Sequence, residues 1–137
     1  MGLIDTNILV YLIDTADKIR HEQAKKFFAQ VMNNPLMFAV SLQNLREFCS
    51  VSIKKKNAAQ GQIEEHAVLF KTFFQKIIQD TEEDALNAIK HSFEKNTPFW
   101  DSLIAATMQR NEIEIIYTEN TKDFKNFEKI KAINPLE

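Results

Sequence analysis

The amino-acid sequence predicts a single α/β domain, a three-layer α/β/α sandwich with a mostly parallel central sheet. Short apolar segments typical of buried strands alternate with longer amphipathic segments typical of helices, an order that favours parallel strands joined by helical crossovers. The length of 137 residues matches one domain of about 100 to 150 residues. No Gly/Ser-rich linker, repeat or low-complexity stretch divides the chain, so residues 1–137 are treated as one unit.

The first half of the chain predicts two strands separated by helical segments. Gly2 to Ile4 is short and apolar, as expected for a buried strand, and polar residues separate it from the amphipathic run Ile8–Ile13. Lys18–Asn33 carries apolar residues at the spacing of a one-sided helix. Met37–Val40 is then expected to form the second strand.

The second half predicts four helices and two further strands. Ser41 and Thr81 are residue types that cap helix N-termini, and the β-branched residues around Ile115 are typical of a buried strand. In order, the expected elements are a helix from the Ser41 cap to about Lys55, helices over Ala58–Ile78, Thr81–Lys95 and Trp100–Asn111, a strand over Glu112–Thr118 and a weaker edge strand over Lys131–Asn134.

Composition excludes several classes of protein. With only two glycines, the chain cannot contain a GxxxxGK phosphate loop or a GxGxxG dinucleotide turn. A single cysteine, Cys49, excludes an intrachain disulfide and a multi-Cys zinc site, which favours a reducing compartment. The longest apolar run, Ile8–Ile13, is far shorter than the roughly 20 residues of a membrane span. We therefore expect a cytoplasmic protein with no membrane association.

The charge balance limits how the chain could bind nucleic acid. The sequence has 17 Lys+Arg against 19 Asp+Glu, a formal net charge of −2. Proteins that bind nucleic acid through general electrostatics carry a large cationic excess. A nucleic-acid partner would therefore need a local basic patch or bound cations.

Acidic and amide side chains follow the predicted strands where an α/β sheet places its functional site. Asp5 follows the first strand, and Asn120 and Asp123 lie just after the strand that ends at Thr118. Glu47 and Asp101 lie near the starts of helices that face the same edge. Several carboxylates in one pocket repel one another unless a cation neutralises them, and ligand sets containing only oxygen suit Mg²⁺ or Mn²⁺.

Each of these acids also has a purely structural interpretation. Asp5 can act as an N-cap, Glu47 can lie on a solvated helix face, and Asp101 can favour a helix start through the macrodipole. Asp123 can be an ordinary turn residue. The apolar neighbours of Asp5 and Asp101 favour inward-facing acids, but periodicity alone does not bring Glu47 to the same pocket. From the residues alone, both interpretations remain open.

Four sequence blocks contain the candidate acids and amides: LIDTNILVYLID at residues 3–14, SLQNLREF at 41–48, FWDSLIAATM at 99–108 and IIYTENTKDF at 115–124. These blocks resemble the motifs of PIN-domain proteins, in particular the toxin ribonucleases of the VapBC toxin-antitoxin type. They occur in the family's order, at similar separations, over nearly the whole chain. The first and third blocks are the most specific in combination.

The resemblance implies a PIN-like fold and a Mg²⁺- or Mn²⁺-dependent endoribonuclease that cleaves RNA phosphodiester bonds with activated water. Asp5, Glu47 and Asp101 match the family's three principal acids, which are catalytic and hold the metal. An RNA substrate, a homodimer and an antitoxin protein are the implied partners. In this family the middle helical region contributes to the dimer and to the antitoxin groove, so the apolar residues from Leu69 to Ile77 are expected in a core or an interface.

The fourth metal-site position departs from the family's usual pattern. The family carries an acidic residue two places after the threonine that ends the fourth strand, and this chain has Asn120 there, with Asp123 three residues further on. Either residue can serve the second metal, and from the sequence we prefer Asn120, with its amide holding a water. Asn7 and Thr118 match polar residues that orient the acids in the family.

Other functions stay open beside this prediction. The neutral Asn120 keeps a catalytically silent PIN-like module, which binds RNA or a protein, as the main alternative. Another metal-dependent phosphohydrolase is the alternative among enzymes, although a haloacid-dehalogenase-like phosphatase would need an aspartate where Asn7 stands. A receiver-like domain would need an aspartate at the end of the middle strand, where Val40 and Ser41 stand.

The remaining chemistry-bearing residues are expected to be structural. Trp100 precedes Asp101 and is expected to anchor the core, with a place in a substrate groove as the alternative. Cys49 is expected to be a small core residue, because no histidine is placed to activate it. The three histidines stand on different predicted helices without a metal-binding motif.

Overall fold

The computed structural model describes all 137 residues and has a five-stranded central sheet in which every pair of neighbouring strands is parallel. The strand order is β3-β2-β1-β4-β5, which places β1 at the centre. The strands are β1 (Gly2–Ile4), β2 (Phe38–Ser41), β3 (Ile77–Ile78), β4 (Ile115–Tyr117) and β5 (Lys131–Ile133). The predicted parallel sheet is confirmed.

Six helices and two short 3₁₀ turns complete the domain. The helices are α1 (Thr6–Tyr11), α2 (Lys18–Asn33), α3 (Leu42–Lys55), α4 (Gln60–Phe73), α5 (Glu82–Lys95) and α6 (Phe99–Arg110). The 3₁₀ turns span Pro35–Met37 and Thr121–Phe124. None of these helices has the length and apolar character needed to cross a membrane.

The two faces of the sheet bury separate cores, which gives the three-layer sandwich. In β1, Ile4 packs with residues of α1 to α4 on one face, and Leu3 packs with residues of α6 on the other. Val40 and Ala39 divide β2 in the same way, and α5 packs on α6. Each fully buried leucine or isoleucine contributes about 1.5–3 kcal/mol to folding. Because successive residues of a strand point to opposite faces of the sheet, each of these strands contributes to both cores.

The aromatic residues at the C-terminal end of α4 belong to the core on the face of the sheet that α1 to α4 cover. The sequence left a core and an interface open for this segment, and the core is confirmed for these residues. Phe70 is fully buried, and Phe74 is 2% exposed. The Phe28 ring of α2 lies about 6 Å, centroid to centroid, from the rings of Phe70, Phe73 and Phe74. Leu69 is 46% exposed and stays outside this cluster.

The single helix predicted over 58–78 is wrong at its C-terminal end. The helix stops at Phe73, because Phe74 takes an extended conformation (φ −78°, ψ 114°) and directs its ring into the core. Ile77 and Ile78 then pair in parallel with Val40 and Ser41 and form the edge strand β3. The free edge of β2 therefore determines the structure of the two isoleucines.

The predicted N-caps of two helices are confirmed. Ser41 Oγ accepts from the Asn44 backbone N–H at 2.9 Å, and Asn44 Oδ1 accepts from the Ser41 N–H at 3.3 Å. Thr81 and Asp84 exchange the same pair of bonds at 3.1 and 3.0 Å. Each capping box satisfies N–H groups that a helix start leaves without an internal partner.

Gly2 is expected to be required for stability, because a Cβ atom at this position would overlap the Tyr117 ring. That ring cannot move freely, because it packs against the rings of Phe27 and Phe38, whose centroids lie 5.2 and 5.5 Å from its own. We expect Gly2→Ala to lower the free energy of unfolding by about 1–3 kcal/mol. Chemical denaturation measures this change.

Gly61→Ala is the matched control for this substitution. A Cβ atom on Gly61 would meet no atom within 4 Å, and the position lies in the first turn of α4. Alanine is the better helix former, so we expect a change of less than about 1 kcal/mol, in the stabilising direction. Equal unfolding free energies for the two variants would contradict the role given to Gly2.

Candidate active site

A cavity of about 300 Å³ opens at the carboxyl ends of the central strands. Its walls come from Asp5 and α1, from α3, from the first two turns of α6 and from the loop after β4. The acidic and amide residues singled out from the sequence all line it: Asp5, Asn7, Glu47, Asp101, Asn120 and Asp123. The fold thus brings together side chains that are more than a hundred residues apart in sequence.

Asp5 stands at the junction of β1 and α1, and hydrogen bonds from three elements hold its carboxylate. Its Oδ1 accepts from the Thr6 backbone N–H at 2.8 Å, which caps α1, and from Asn44 Nδ2 at 3.3 Å. Its Oδ2 accepts from Thr118 Oγ1 at 2.8 Å. Asp5 is therefore both a helix cap and a residue of the cavity.

Glu47 enters the cavity from α3 and shares this network. Gln43 Nε2 donates to Glu47 Oε1 at 2.8 Å, across one helical turn. Thr6 Oγ1 donates to Glu47 Oε2 at 3.3 Å, and Asn44 Nδ2 donates to Thr6 Oγ1 at 3.1 Å. The i, i+3 and i+4 spacing puts Gln43, Asn44 and Glu47 on one face of α3.

Asp101 is half-buried, and its carboxylate has no hydrogen-bond or ion-pair partner in the protein. Burial, together with the smaller effects of the charges of Asp123, Asp5 and Glu47 in that order, raises the pKa of Asp101 to about 6. Burial also raises the pKa of Asp5, against hydrogen bonds from Thr118 and Thr6 that lower it. The cavity therefore holds negative charge that its own residues do not balance.

The one lysine that lines the cavity, and an arginine bound to the loop after β4, are already paired with acids. Lys55 lines the cavity, but its Nζ lies 2.9 Å from Asp14 Oδ2, and Asp14 is 5% exposed. Arg20 Nε contacts Glu119 Oε2 at 2.5 Å, and Tyr11 Oη donates to the other oxygen of Glu119 at 2.8 Å. Glu119 is thus held by its own partners and does not line the cavity.

Asn7 and Thr118 connect the first and fourth motif blocks. Asn7 Nδ2 donates to Thr118 Oγ1 at 3.2 Å, and Asn7 Oδ1 accepts from the Glu119 N–H at 3.3 Å. Thr118 is fully buried; its hydroxyl donates a hydrogen bond to Asp5 Oδ2 and accepts one from the Asn120 N–H at 3.1 Å. These bonds set the orientation of the Asp5 carboxylate.

Asn120 and Asp123 reach the cavity from the same loop. Asn120 precedes the 3₁₀ turn, and its side-chain amide makes no hydrogen bond within the protein. Asp123 lies in the turn, which the buried Phe124 ring anchors in the α6-side core. No three His, Cys, Asp or Glu side chains are already grouped at metal-binding distances. The acids line one cavity, and the carboxylates of Asp5 and Glu47 already accept hydrogen bonds from the protein.

A family model for the PIN domain matches residues 2–130. The chain belongs to the PIN domain family. None of the curated proteins compared with the chain matches it significantly.

Solved structures with the same fold include toxin-antitoxin proteins. A toxin-antitoxin complex from Klebsiella pneumoniae is 26% identical, with 98% of both chains covered and a TM-score of 0.70. Mycobacterium tuberculosis VapC20, described as a sarcin-ricin loop cleaving toxin, is 18% identical over 96% of this chain and 99% of that chain, with a TM-score of 0.73. Rickettsia felis VapBC2, bound to promoter DNA, is 20% identical over 97% of both chains, with a TM-score of 0.67. These likenesses support the α/β sandwich described above.

Sequence reasoning missed three side chains that shape the site of this PIN domain. Thr6, Gln43 and Asn44 hydrogen-bond the acids or one another, yet none of them stood out as a candidate. The positions of Gln43 and Asn44, four and three residues before Glu47, were the available signal. Shared helical spacing would have placed both on the face of α3 that carries Glu47.

The expectation that Trp100 anchors the core is wrong. The Trp100 side chain is 63% exposed and lines the rim of the cavity beside Asp101. Its position in the first turn of α6 explains the difference, since Leu103 and Ile104 fill the core from the next turn. The alternative, a place in a groove beside the site, agrees with this exposure.

Proposed function

We propose that this PIN domain is a Mg²⁺- or Mn²⁺-dependent endoribonuclease, the toxin of a type II toxin-antitoxin pair. Asp5, Glu47 and Asp101 are its catalytic residues. The proposal depends mainly on one observation, which is that these acids and Asp123 line one cavity whose only lysine is paired elsewhere. Membership of the PIN domain family and the likeness to toxin-antitoxin structures support it.

The donor chemistry of the cavity fits a hard divalent cation. Carboxylate and amide oxygens are the groups available, with no histidine or cysteine in the lining. The raised pKa values of Asp5 and Asp101 arise from burial and mutual repulsion, which a bound cation would relieve. When bound, such a cation activates water and stabilises charge on the leaving oxygen of a phosphodiester.

The protein's own contribution is to hold the acids in place. Thr118 and Asn44 fix the two oxygens of Asp5, and Gln43 with Thr6 fixes those of Glu47. Asp101 has no such partner, so its carboxylate is available to a ligand without breaking a hydrogen bond. Preorganised oxygens reduce the reorganisation that ligand binding requires.

The proposed partners follow from the toxin assignment. RNA is the substrate, a homodimer is the assembly, an antitoxin protein is the inhibitor, and the cytoplasm is the compartment. The similar Klebsiella pneumoniae structure is described as a toxin-antitoxin complex, VapBC2 is bound to a fragment of promoter DNA, and VapC20 is described as a sarcin-ricin loop cleaving toxin. Those descriptions support the proposal by analogy.

RNA cleavage by purified protein, freed of any bound partner, tests the proposal. We expect single-stranded or structured RNA to be cut when Mg²⁺ or Mn²⁺ is present, and to stay intact with EDTA. If folded protein cuts no RNA with either ion, the enzyme proposal fails. The catalytically silent RNA- or protein-binding module, which the neutral Asn120 favours, would then take its place.

The fourth acidic position is expected to be Asp123, although from the sequence Asn120 is preferred. Asp123 lines the cavity with the other acids, and after burial its charge is the largest cause of the raised pKa of Asp101, which supports this assignment. We expect Asp123→Asn to lower RNA cleavage by at least about 10-fold. Loss of a residue that only hydrogen-bonds to a metal ligand already lowers activity by about 10- to 100-fold. Asn120→Asp should change the rate by less.

Mn²⁺ affinity and cleavage rates of the two single variants distinguish these residues. Asp123→Asn is the conservative change, because it keeps the shape of the side chain and removes only its charge. A nearly silent Asp123→Asn, combined with tighter Mn²⁺ binding by Asn120→Asp, would reverse the assignment in favour of Asn120.

A further inference from the structure

A second groove of about 610 Å³ lies directly beside the active-site cavity. The two share one wall, made by Gln43, Glu47 and Trp100. Arg46, Ser50 and Asp80 are the polar residues that line only the second groove. An extended ligand bound in the cavity can therefore continue past these three residues into the second groove.

Trp100 offers an aromatic surface at this boundary. Its side chain is 63% exposed, and Phe99 packs against it edge-on, with ring centroids 5.2 Å apart and an interplanar angle of 74°. The Trp100 backbone carbonyl accepts from Gln43 Nε2 at 3.3 Å, which ties the start of α6 to α3. The indole is thus held in position while most of its surface faces solvent.

Arg46 is a free cation that lines the same groove as Trp100. It is exposed and makes no salt bridge or side-chain hydrogen bond, whereas Arg20, Lys55 and Arg110 are all paired with acids. Asp80 lines the same groove and would repel a phosphate close to it. A phosphate in this groove is therefore expected to bind at Arg46 and not at Asp80.

The shared wall has hydrogen-bonding capacity that the protein does not use. Gln43 is 8% exposed, and its Oε1 is buried without a partner, although its Nε2 donates to Glu47 and to the Trp100 carbonyl. These two donated bonds fix which end of the amide is the oxygen. Buried acceptors without partners are uncommon and call for an explanation.

We propose that this groove is a nucleotide subsite, in which the base next to the scissile phosphate stacks on Trp100 and its phosphate contacts Arg46. The proposal rests on the RNA-cleaving function proposed above. An aromatic platform with an adjacent cation is how proteins hold single-stranded nucleic acid, because unpaired bases expose a face for stacking. The subsite therefore favours single-stranded RNA over duplex.

Intrinsic fluorescence tests this subsite directly, because Trp100 is the only tryptophan of the chain. A short single-stranded oligoribonucleotide is titrated, with Mg²⁺ present, into the Asp101→Asn variant, which is expected to bind RNA but to cleave it too slowly to consume the strand. We expect saturable quenching of the Trp100 emission, and less quenching by the same oligonucleotide with an abasic position. Oligonucleotide binding, measured by anisotropy of a labelled strand, without any change in Trp100 emission would overturn the proposal.

Substitutions separate stacking from charge. Trp100→Ala is expected to weaken binding of the labelled strand about 5- to 150-fold, the range for loss of one stacked base, while Trp100→Phe retains most of it. Arg46→Gln is expected to reduce the slope of log affinity against log salt by about 0.7. Lys26→Gln, an exposed lysine of α2 outside both cavities, is the control with the same charge change and should keep the larger slope.

Other outcomes distinguish this proposal from the proposed function. If wild-type protein cleaves RNA and Trp100→Ala, shown to be folded by its melting curve, cleaves equally well, the subsite is wrong and the nuclease stands. If no cleavage occurs but quenching depends on Trp100 as described, the nuclease is wrong and the subsite stands. A blue shift of Trp100 emission with protein concentration and a doubled mass, without RNA, would show that a second copy covers the groove.

Discussion

Asp101→Asn is expected to lower RNA cleavage by more than about 100-fold. Loss of a residue that only hydrogen-bonds to a metal ligand lowers activity by about 10- to 100-fold, and loss of an acid that itself holds the ion should lower it further. The carboxylate has no partner in the protein, and burial with three neighbouring charges raises its pKa to about 6. The neutral amide removes the charge that a cation needs and relieves repulsion with Asp5 and Glu47. We therefore expect the variant to remain folded and to keep most of its RNA affinity.

Glu114→Gln is the control for this activity measurement, because it removes one exposed negative charge away from the cavity. It should cleave RNA at the wild-type rate. Cleavage by Asp101→Asn within a few-fold of wild type, under conditions where both proteins show the same melting curve, would remove Asp101 from the catalytic residues.

Millimolar Mg²⁺ or Mn²⁺ is expected to raise the melting temperature of the wild-type protein. An ion at tenfold its dissociation constant stabilises the folded state by about 1.4 kcal/mol, which corresponds to about 3–7 °C for a domain of this size. The Asp5→Asn, Asp101→Asn double variant should lose this increment. In metal-free buffer the double variant should melt at or above the wild-type temperature, because it relieves like-charge repulsion.

The double variant also loses hydrogen-bond acceptors at Asp5, so its melting curve needs a comparison. Asp5 accepts from Thr118 and from the Thr6 N–H, and an asparagine keeps one acceptor oxygen for them. Asp101→Asn alone removes charge without touching those bonds. A melting temperature that does not respond to either ion, in wild type as in both variants, would count against a metal site in the cavity.

The central sheet was predictable because its strands carry strong local signals. The apolar segment Gly2–Ile4 and Ile116 of the β-branched run are buried, and Ser41 and Thr81 cap helices through bonds made within a few residues. These features depend on sequence neighbours. Local physical chemistry is therefore enough to identify them.

The parts that could not be predicted depend on distant partners. Ile77–Ile78 is too short to show a strand pattern, and only the free edge of β2 makes it one. Helical spacing links Glu47 to Gln43, but the hydrogen bond that Glu47 accepts from Thr6 spans 41 residues of sequence and depends on the packing of α3 against α1. Trp100 has a large aromatic side chain of the kind that usually packs in a core, but its place in the first turn of α6 leaves it exposed.

Mn²⁺ binding followed by electron paramagnetic resonance, in the same samples that are assayed for RNA cleavage, tests the central claim most directly. The claim is that the acids of this cavity hold the divalent ion that RNA cleavage requires. We expect the cleavage rate of wild-type protein to rise in proportion to bound Mn²⁺, Mg²⁺ to displace the bound ion, and Asp5→Asn, Asp101→Asn to neither bind nor cleave. Cleavage with EDTA present, or Mn²⁺ binding by that double variant equal to wild type, would contradict it.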